Sequence, residues 1–340
     1  MSITRRVRPL FSAAVLAAGL AAGLFAAGGV AAETIELKVS HFLPPQHTIH
    51  KELVRWGQEL EDKSGGRIKL AIFPAAQMGP MPRQFDLARR GVADIAFSLH
   101  GGTPGRYPLT EVANLPFLVK SSEASSKALT ELIPDYLSKE YEGLRALYTI
   151  VVPPLNLNMS KKRITSVDDL KGLRIRHAGR LFAETIQALG ATPVAVRPNE
   201  IADSMSKGVV DGALLPFEGA AAFKLGDVTK YVLEPGINAA TFALMMNPAK
   251  YESLPEDLRK LIDDTTGPEA AARIGRAFDE AEVHGREVMG EKAQIDTMSP
   301  ELRADFEAAI APVTENFLGE LDEKGLPARE VYAKMKAAGA

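Results

Sequence analysis

Residues Asp168–His177 read DDLKGLRIRH and set a helical turn, a glycine and a short alternating strand side by side. Leu173 and Ile175 alternate with Arg174 and Arg176, so the pattern predicts a β-strand with two apolar side chains on one face and two guanidinium groups on the other. Two cations on one strand face serve either a bound anion or an ordinary salt bridge at a solvated sheet surface, and spacing alone admits both. The strand opens a series. A helix expected over Arg180–Leu189, a strand over Pro193–Val196, a helix over Asn199–Lys207 and a strand over Asp211–Leu214 follow in alternation, the pattern of a parallel α/β sheet.

A similar series stands nearer the N-terminus. Ile35, Leu37 and Val39 alternate as a strand, and Ile49, Leu53, Trp56 and Leu60 recur at helical spacing until Gly65-Gly66. A strand over Arg67–Phe73, a helix over Met81–Arg90 stopped by Gly91, and a strand over Asp94–Ser98 complete it. Two α/β domains are therefore expected. The chain passes between them through Val151-Val152-Pro153-Pro154, whose prolines hold it extended. Thr241–Met246 reads as a further strand, and its return to the first domain would make the chain cross more than once. Helices are expected around Leu258–Ile262, from Pro268 toward Glu291, over Pro300–Leu321 and over Pro327–Ala337.

The first residues restrict where the protein works. Arg5, Arg6 and Arg8 precede an apolar run from Leu10 to Val30, and Val30-Ala31-Ala32 supplies small residues before a cut, so residues 1–32 read as a signal peptide cleaved after Ala32. The run is also long enough to span a bilayer, but its Ala and Gly content and small-residue end favour cleavage. The bacterial periplasm is the expected compartment. Residues 1–32 hold three of the 40 cations and none of the 43 acids, so the remainder carries a formal charge of -6. An acidic chain without a basic stripe is not a nucleic-acid binder. The sequence has no cysteine, which excludes disulfides, thiolate nucleophiles and cysteine-bound zinc. His47 and His50 lie one helical turn apart, yet no acidic residue completes a metal pattern; no metal and no cofactor are expected. Gly101–Arg106 has no Lys-Ser or Lys-Thr pair opening a helix after it, and reads as a flexible turn at a cleft edge, not a phosphate loop.

Seven segments then stand in one order: FPAAQMG (Phe73–Gly79), RQFDLARRGVADIAF (Arg83–Phe97), LPFLV (Leu115–Val119), DLKGLRIR (Asp169–Arg176), GATPV (Gly190–Val194), GVVDGALLP (Gly208–Pro216) and MMNPAKYESLPEDL (Met245–Leu258). With the secretion signal, this order resembles the solute-binding proteins of tripartite ATP-independent periplasmic (TRAP) transporters, DctP family, over roughly Glu33–Leu321. The resemblance implies a two-domain periplasmic binding protein fold, class II-like, with hinge strands and a long domain-spanning helix. On that basis domain I takes 33–152 with about 241–290, domain II takes 153–240 with about 291–325, and 326–340 form a C-terminal helix. It also implies capture of an organic acid in the interdomain cleft and delivery to membrane TRAP permease subunits, with no catalysis. A ligand sensor for a membrane kinase and an exported enzyme on the same fold are the alternatives; the sequence has no G-x-S-x-G, no H-E-x-x-H and no cysteine nucleophile to support the enzyme.

The resemblance assigns the ligand carboxylate to the second basic residue of Leu173-Arg174-Ile175-Arg176, namely Arg176. Its place at the carboxyl end of the strand agrees, because ligands of open α/β sheets bind there. Many sugar-acid-binding relatives have an asparagine where this chain has Leu215. A leucine cannot satisfy a hydroxyl, so the expected ligand is a monocarboxylate with an aromatic or branched apolar body, with Leu214 and Phe217 also near the cleft. The other reading of Leu214–Phe217 is a buried strand end. His41, Asn158, Arg197 and Pro198 are further candidates for the cleft, while Glu218 reads as a helix-start acid in preference to a ligand acceptor, and His177 as structural.

Overall fold

The protein is described by a computed structural model over residues 34–339, and the expected signal peptide lies outside the described residues. The strands fall into two sheets. The first holds β1 (Ile35–Ser40), β2 (Ile68–Phe73), β3 (Ile95–Leu99), β4 (Arg145–Val151) and the late strand β10 (Thr241–Met246). The second holds β5 (Leu155–Met159), β6 (Arg174–His177), β7 (Thr192–Ala195), β8 (Gly212–Leu215), β9 (Tyr231–Asn238) and β11 (Gln294–Thr297). Their orders are β2-β1-β3-β10-β4 and β11-β9-β5-β8-β6-β7. Helices run in chain order as α1 (Thr48–Lys63), α2 (Gln84–Arg89), α3 (Ser122–Glu131), α4 (Arg180–Ala188), α5 (Ile201–Ser206) and α6 (Phe217–Ala222). They continue as α7 (Pro248–Glu252), α8 (Glu256–Thr265), α9 (Pro268–Gly290), α10 (Pro300–Glu323) and α11 (Ala328–Ala338).

The alternation in each series produces parallel pairs: β1 with β2 and β3, and β6 with β7 and β8. β10 enters the first sheet antiparallel between β3 and β4. Every residue of its sequence TFALMM is buried, as a central strand covered on both faces requires. The helix expected over Met81–Arg90 is two pieces, a 3-10 turn over Met81–Arg83 and then α2, because Pro80 and Pro82 withhold amides at its start. Gly91 ends it with φ of 70°. In DDLKGLRIRH, a 3-10 turn over Val167–Leu170 is closed by a capping box between Ser166 and Asp169, and Gly172, at φ 76°, turns the chain toward β6.

The two lobes are joined by two crossings. β4 leads to β5 through Val152-Pro153-Pro154, and β9 leads back to β10 through Ala239-Ala240; the Val152 amide donates to the Ala240 carbonyl at 3.0 Å. Close packing of these crossings needs glycine at 236, where a Cβ would stand 2.5 Å from the Leu155 amide nitrogen.

The long helix α9 packs on α3 of the first lobe and on α6 of the second. Two glycines let it approach. A Cβ at Gly275 would stand 2.5 Å from the Ser122 carbonyl oxygen, and one at Gly285 2.6 Å from the Phe217 carbonyl carbon. Two acids then hold the helix starts it meets. Asp279 accepts from the amides of Ser122 (2.8 Å) and Glu123 (3.1 Å), while Glu282 accepts from those of Phe217 and Glu218, both at 2.8 Å. Each carboxylate therefore satisfies orphan N–H groups of a helix in a different lobe. Gly275→Ala and Gly285→Ala should each destabilise the protein by about 1–3 kcal/mol through overpacking. Gly319→Ala, on α10 where nothing lies within 4 Å of the new methyl, should be neutral or stabilising by up to about 1 kcal/mol. Denaturant unfolding of the three variants reads this order, and equal effects at all three positions would contradict it.

Candidate functional site

The two arginines of β6 share a face but stand at opposite ends of the strand. Arg174, at the start, is closed off by Asp211: Nε donates to Oδ2 at 3.1 Å and Nη2 to Oδ1 at 3.0 Å. Arg176, two residues on, is only 3% exposed. Its Nε donates to the Val196 carbonyl at 3.1 Å, and no carboxylate among the described residues lies within ion-pair distance. Burial alone pulls its pKa down, to about 10. A guanidinium taken out of water without a counter-charge is costly, which makes Arg176 a candidate anion receptor.

Arg176 opens on a narrow interlobe cavity of about 60 Å³. Leu214, Leu215 and Phe223 of the second lobe face Phe42 and Phe242 of the first across it. Phe242 is held in place by near-parallel stacking on Phe97, with centroids 5.2 Å apart, and on Phe42, 6.5 Å apart. Among the described lining residues only His47 and Glu218 add polar side chains to Arg176. His47 caps α1, its Nδ1 accepting from the Ile49 amide at 3.2 Å. Glu218 reaches from α6 across the cavity, where its Oε1 accepts from the Thr48 amide at 2.8 Å and the Thr48 hydroxyl at 2.7 Å. Gln46 adds a parallel bridge, from Nε2 to the Ala222 carbonyl at 2.8 Å. The N-terminus of α1 in one lobe is thus held by α6 of the other.

The remaining candidates scatter. Leu215 and Pro198 line the cavity with Arg176. Arg197 is exposed beside Glu200 (3.3 Å) and borders a wider, solvent-filled groove outside. Phe217 turns away into the second lobe's own core with Ile201, Met205 and Leu225, because the first residue of α6 points behind the sheet and not into the cleft. Asn158 is fully buried in β5, its Nδ2 donating to the Asn156 and Leu215 carbonyls, both at 3.0 Å; it stiffens the strand edges beneath the cavity. His41 is also fully buried and does not line the cavity: Nδ1 accepts from the Leu43 amide at 3.2 Å and Nε2 meets His50 Nδ1 at 3.1 Å. Glu218 is both an acid in the first turn of α6, as read from sequence, and a cavity residue. Its signal was present, an acid inside the apolar run LLPFEGAAAF, but the partner that explains it lies 170 residues away. Of the Gly101–Arg106 turn, Gly101 is buried, where a Cβ would stand 2.7 Å from the Ala178 carbonyl of the other lobe, while Pro104 and Gly105 are exposed.

Two α/β lobes on a double hinge, enclosing an apolar cavity with an unpaired arginine, define a two-lobed solute-binding protein. Residues 39–320 match the family of bacterial extracellular solute-binding proteins, family 7 (DctP), and the chain belongs to it as a TRAP solute-binding protein, a periplasmic class. It is similar to a TRAP solute-binding protein from Rhodoferax ferrireducens T118 solved in complex with copurified benzoate, at 31% identity and TM-score 0.86, covering 90% of this chain and 97% of that one. A TRAP periplasmic solute-binding protein from Bordetella bronchiseptica with bound (R)- and (S)-mandelate is 28% identical at TM-score 0.84, covering 89% of this chain and 98% of that one. The outer membrane transporter protein TsaT of Comamonas testosteroni is 26% identical over 316 residues, 91% of this chain and 93% of its own. The family and the similar solved structures are solute-binding proteins, not enzymes.

The buried histidines beside the cavity give the protein an acid sensitivity. Burial, reinforced by His50 and His47, lowers the His41 pKa to about 3. A group depressed from 6.5 on folding contributes stability that is present above pH 6.5 and is lost as the pH falls toward 3. His41→Asn, whose amide oxygen can replace Nδ1 as acceptor for Leu43, should therefore show a shallower fall of Tm between pH 7 and pH 4 than the unmodified protein. Equal slopes in thermal melts across that range would remove His41 from the titration.

Proposed function

We propose that the protein captures an aromatic or similarly apolar-bodied monocarboxylate in the interlobe cavity, closes on it, and delivers it to membrane TRAP permease subunits for uptake. The observation that carries this reading is Arg176, buried and without a carboxylate partner at the end of β6, opening on walls made of leucine and phenylalanine. The fork of a guanidinium can give a carboxylate two parallel hydrogen bonds, each worth about 1.5–3 kcal/mol when charge-assisted. Leu214, Leu215, Phe42 and Phe242 offer the rest of the ligand apolar contact and no hydrogen-bond partner, which disfavours the hydroxyl-rich body of a sugar acid. Benzoate and mandelate in the similar structures support the same class. In this reading domain I (33–152 with about 241–290) and domain II (153–240 with about 291–325) close about the two crossings, and export removes residues 1–32 so that the mature chain begins at Glu33.

Titration calorimetry with benzoate, mandelate and glucuronate tests the ligand class, with binding of the aryl acids and none of the sugar acid expected. Arg176→Lys should weaken benzoate binding by about tenfold or more, because an ammonium cannot reproduce the fork, with little change in Tm. Leu215→Asn should weaken it as well by placing a polar amide against the ring. Unchanged affinity in the lysine variant, or a preference for glucuronate, would sink the reading.

A further inference from the structure

Glu218 carries more than the bridge to α1. Its side chain is 6% exposed and it lines the same cavity as Arg176. Oε1 is taken up by the two donors of Thr48, and the backbone amide of Glu218 is held by Glu282 of α9, so the carboxylate is fixed at both ends. Oε2 is buried and has no hydrogen-bond partner among the described residues. His47 Nε2 stands 3.5 Å from it, at ion-pair and not hydrogen-bond distance. With Nδ1 accepting from Ile49, the proton of a neutral ring sits on Nε2, and burial favours that neutral ring. A buried acceptor oxygen without a donor is a cost the protein carries unless a bound molecule supplies the donor. Arg176 and Glu218 therefore make the cavity bipolar, a cation and a carboxylate on the rim of one apolar space.

Resting on the reading of Arg176 as the carboxylate receptor, we propose that Glu218 sets a charge rule for the solute: Oε2 accepts from a donor on the apolar body of a monocarboxylate and bars a second carboxylate. The preferred solute is then an aryl monoacid bearing a hydroxyl or amino group. An aryl diacid that engages Arg176 through one carboxylate and brings its second to Glu218 meets a like charge against a mostly apolar wall, where repulsion is weakly screened.

Glu218→Gln tests this with little change of shape, because the amide Oε1 keeps both bonds from Thr48 while a donating NH2 replaces the free Oε2. The probes are benzoate, the 3- and 4-aminobenzoates and the two diacids isophthalate and terephthalate, titrated calorimetrically into both proteins at one pH. In the unmodified protein the better aminobenzoate should bind at least about threefold tighter than benzoate, and both diacids at least about tenfold weaker. In Glu218→Gln the amino preference over benzoate should vanish, and the gap between benzoate and the better diacid should narrow by about tenfold. A diacid bound by the unmodified protein as tightly as benzoate overturns the proposal whether or not the variant folds, as does an unchanged diacid gap in a folded variant. Failure of the unmodified protein to bind any aryl acid overturns instead the assignment of Arg176 on which the proposal rests.

Discussion

Helix α9 is the constraint on which the rest of the structure depends, because one rod satisfies helix starts in both lobes. Gly275 and Asp279 sit one turn apart and serve α3, while Glu282 and Gly285 repeat the arrangement in reverse order for α6. In each case a glycine permits backbone contact and an acid supplies the acceptors that the buried N–H groups need. The Glu282 carboxyl is nevertheless pushed up, to about 7, by its burial, against the pull of the two amides it accepts from and of Asn156. The position of α6, and with it Glu218, is thus set by a helix whose other end is anchored in the opposite lobe.

The cavity follows from a different constraint, the pleat of β6. Side chains two residues apart share a face, yet they stand a full repeat apart along the strand, and the neighbours change over that distance. At the start of β6 the parallel partner β8 brings Asp211 alongside Arg174, a half-exposed pair with both ions still in contact with water. At its end there is only the Val196 carbonyl and the space between the lobes. One charge is paired inside the second lobe and the other has no carboxylate partner among the described residues. The uncompensated cation is a departure from the rule that buried charges are paired, and such departures mark sites more than they serve stability.

Much of the fold was legible in the sequence because it is written in short-range signals. Period-2 and helical spacing mark the two series, paired glycines and prolines mark their ends, and Thr241–Met246 already reads as a strand, its return across the hinge left open. The place of Arg176 at a strand end beside the cleft was legible through its motif. What escaped depends on contacts between distant segments. Nothing local to Leu214–Glu218 says that Glu218 meets Thr48, or that Phe217 faces the core and Leu215 the cavity; those follow from where α6 departs from the sheet. Asn158 and His41 were reasonable polar candidates beside a cleft, but the Asn158 amide nitrogen is held by neighbouring backbone and the His41 ring by the Leu43 amide and His50. A polar residue near a site declares its role only when its partners are known.

The hinge itself forms part of the binding surface. Val152, Leu155 and Ala240 line the cavity, and Val152 and Ala240 are the two residues whose backbone bond ties the crossings together. A guest in this cavity lies against the fulcrum and not out along the jaws. With so short a lever arm, a small difference in the thickness of the guest becomes a larger difference in separation at the outer rims of the lobes. In the proposed closing motion the girth of the guest would be displayed, enlarged, at the rims farthest from it, where a docking permease could gauge it without touching the guest.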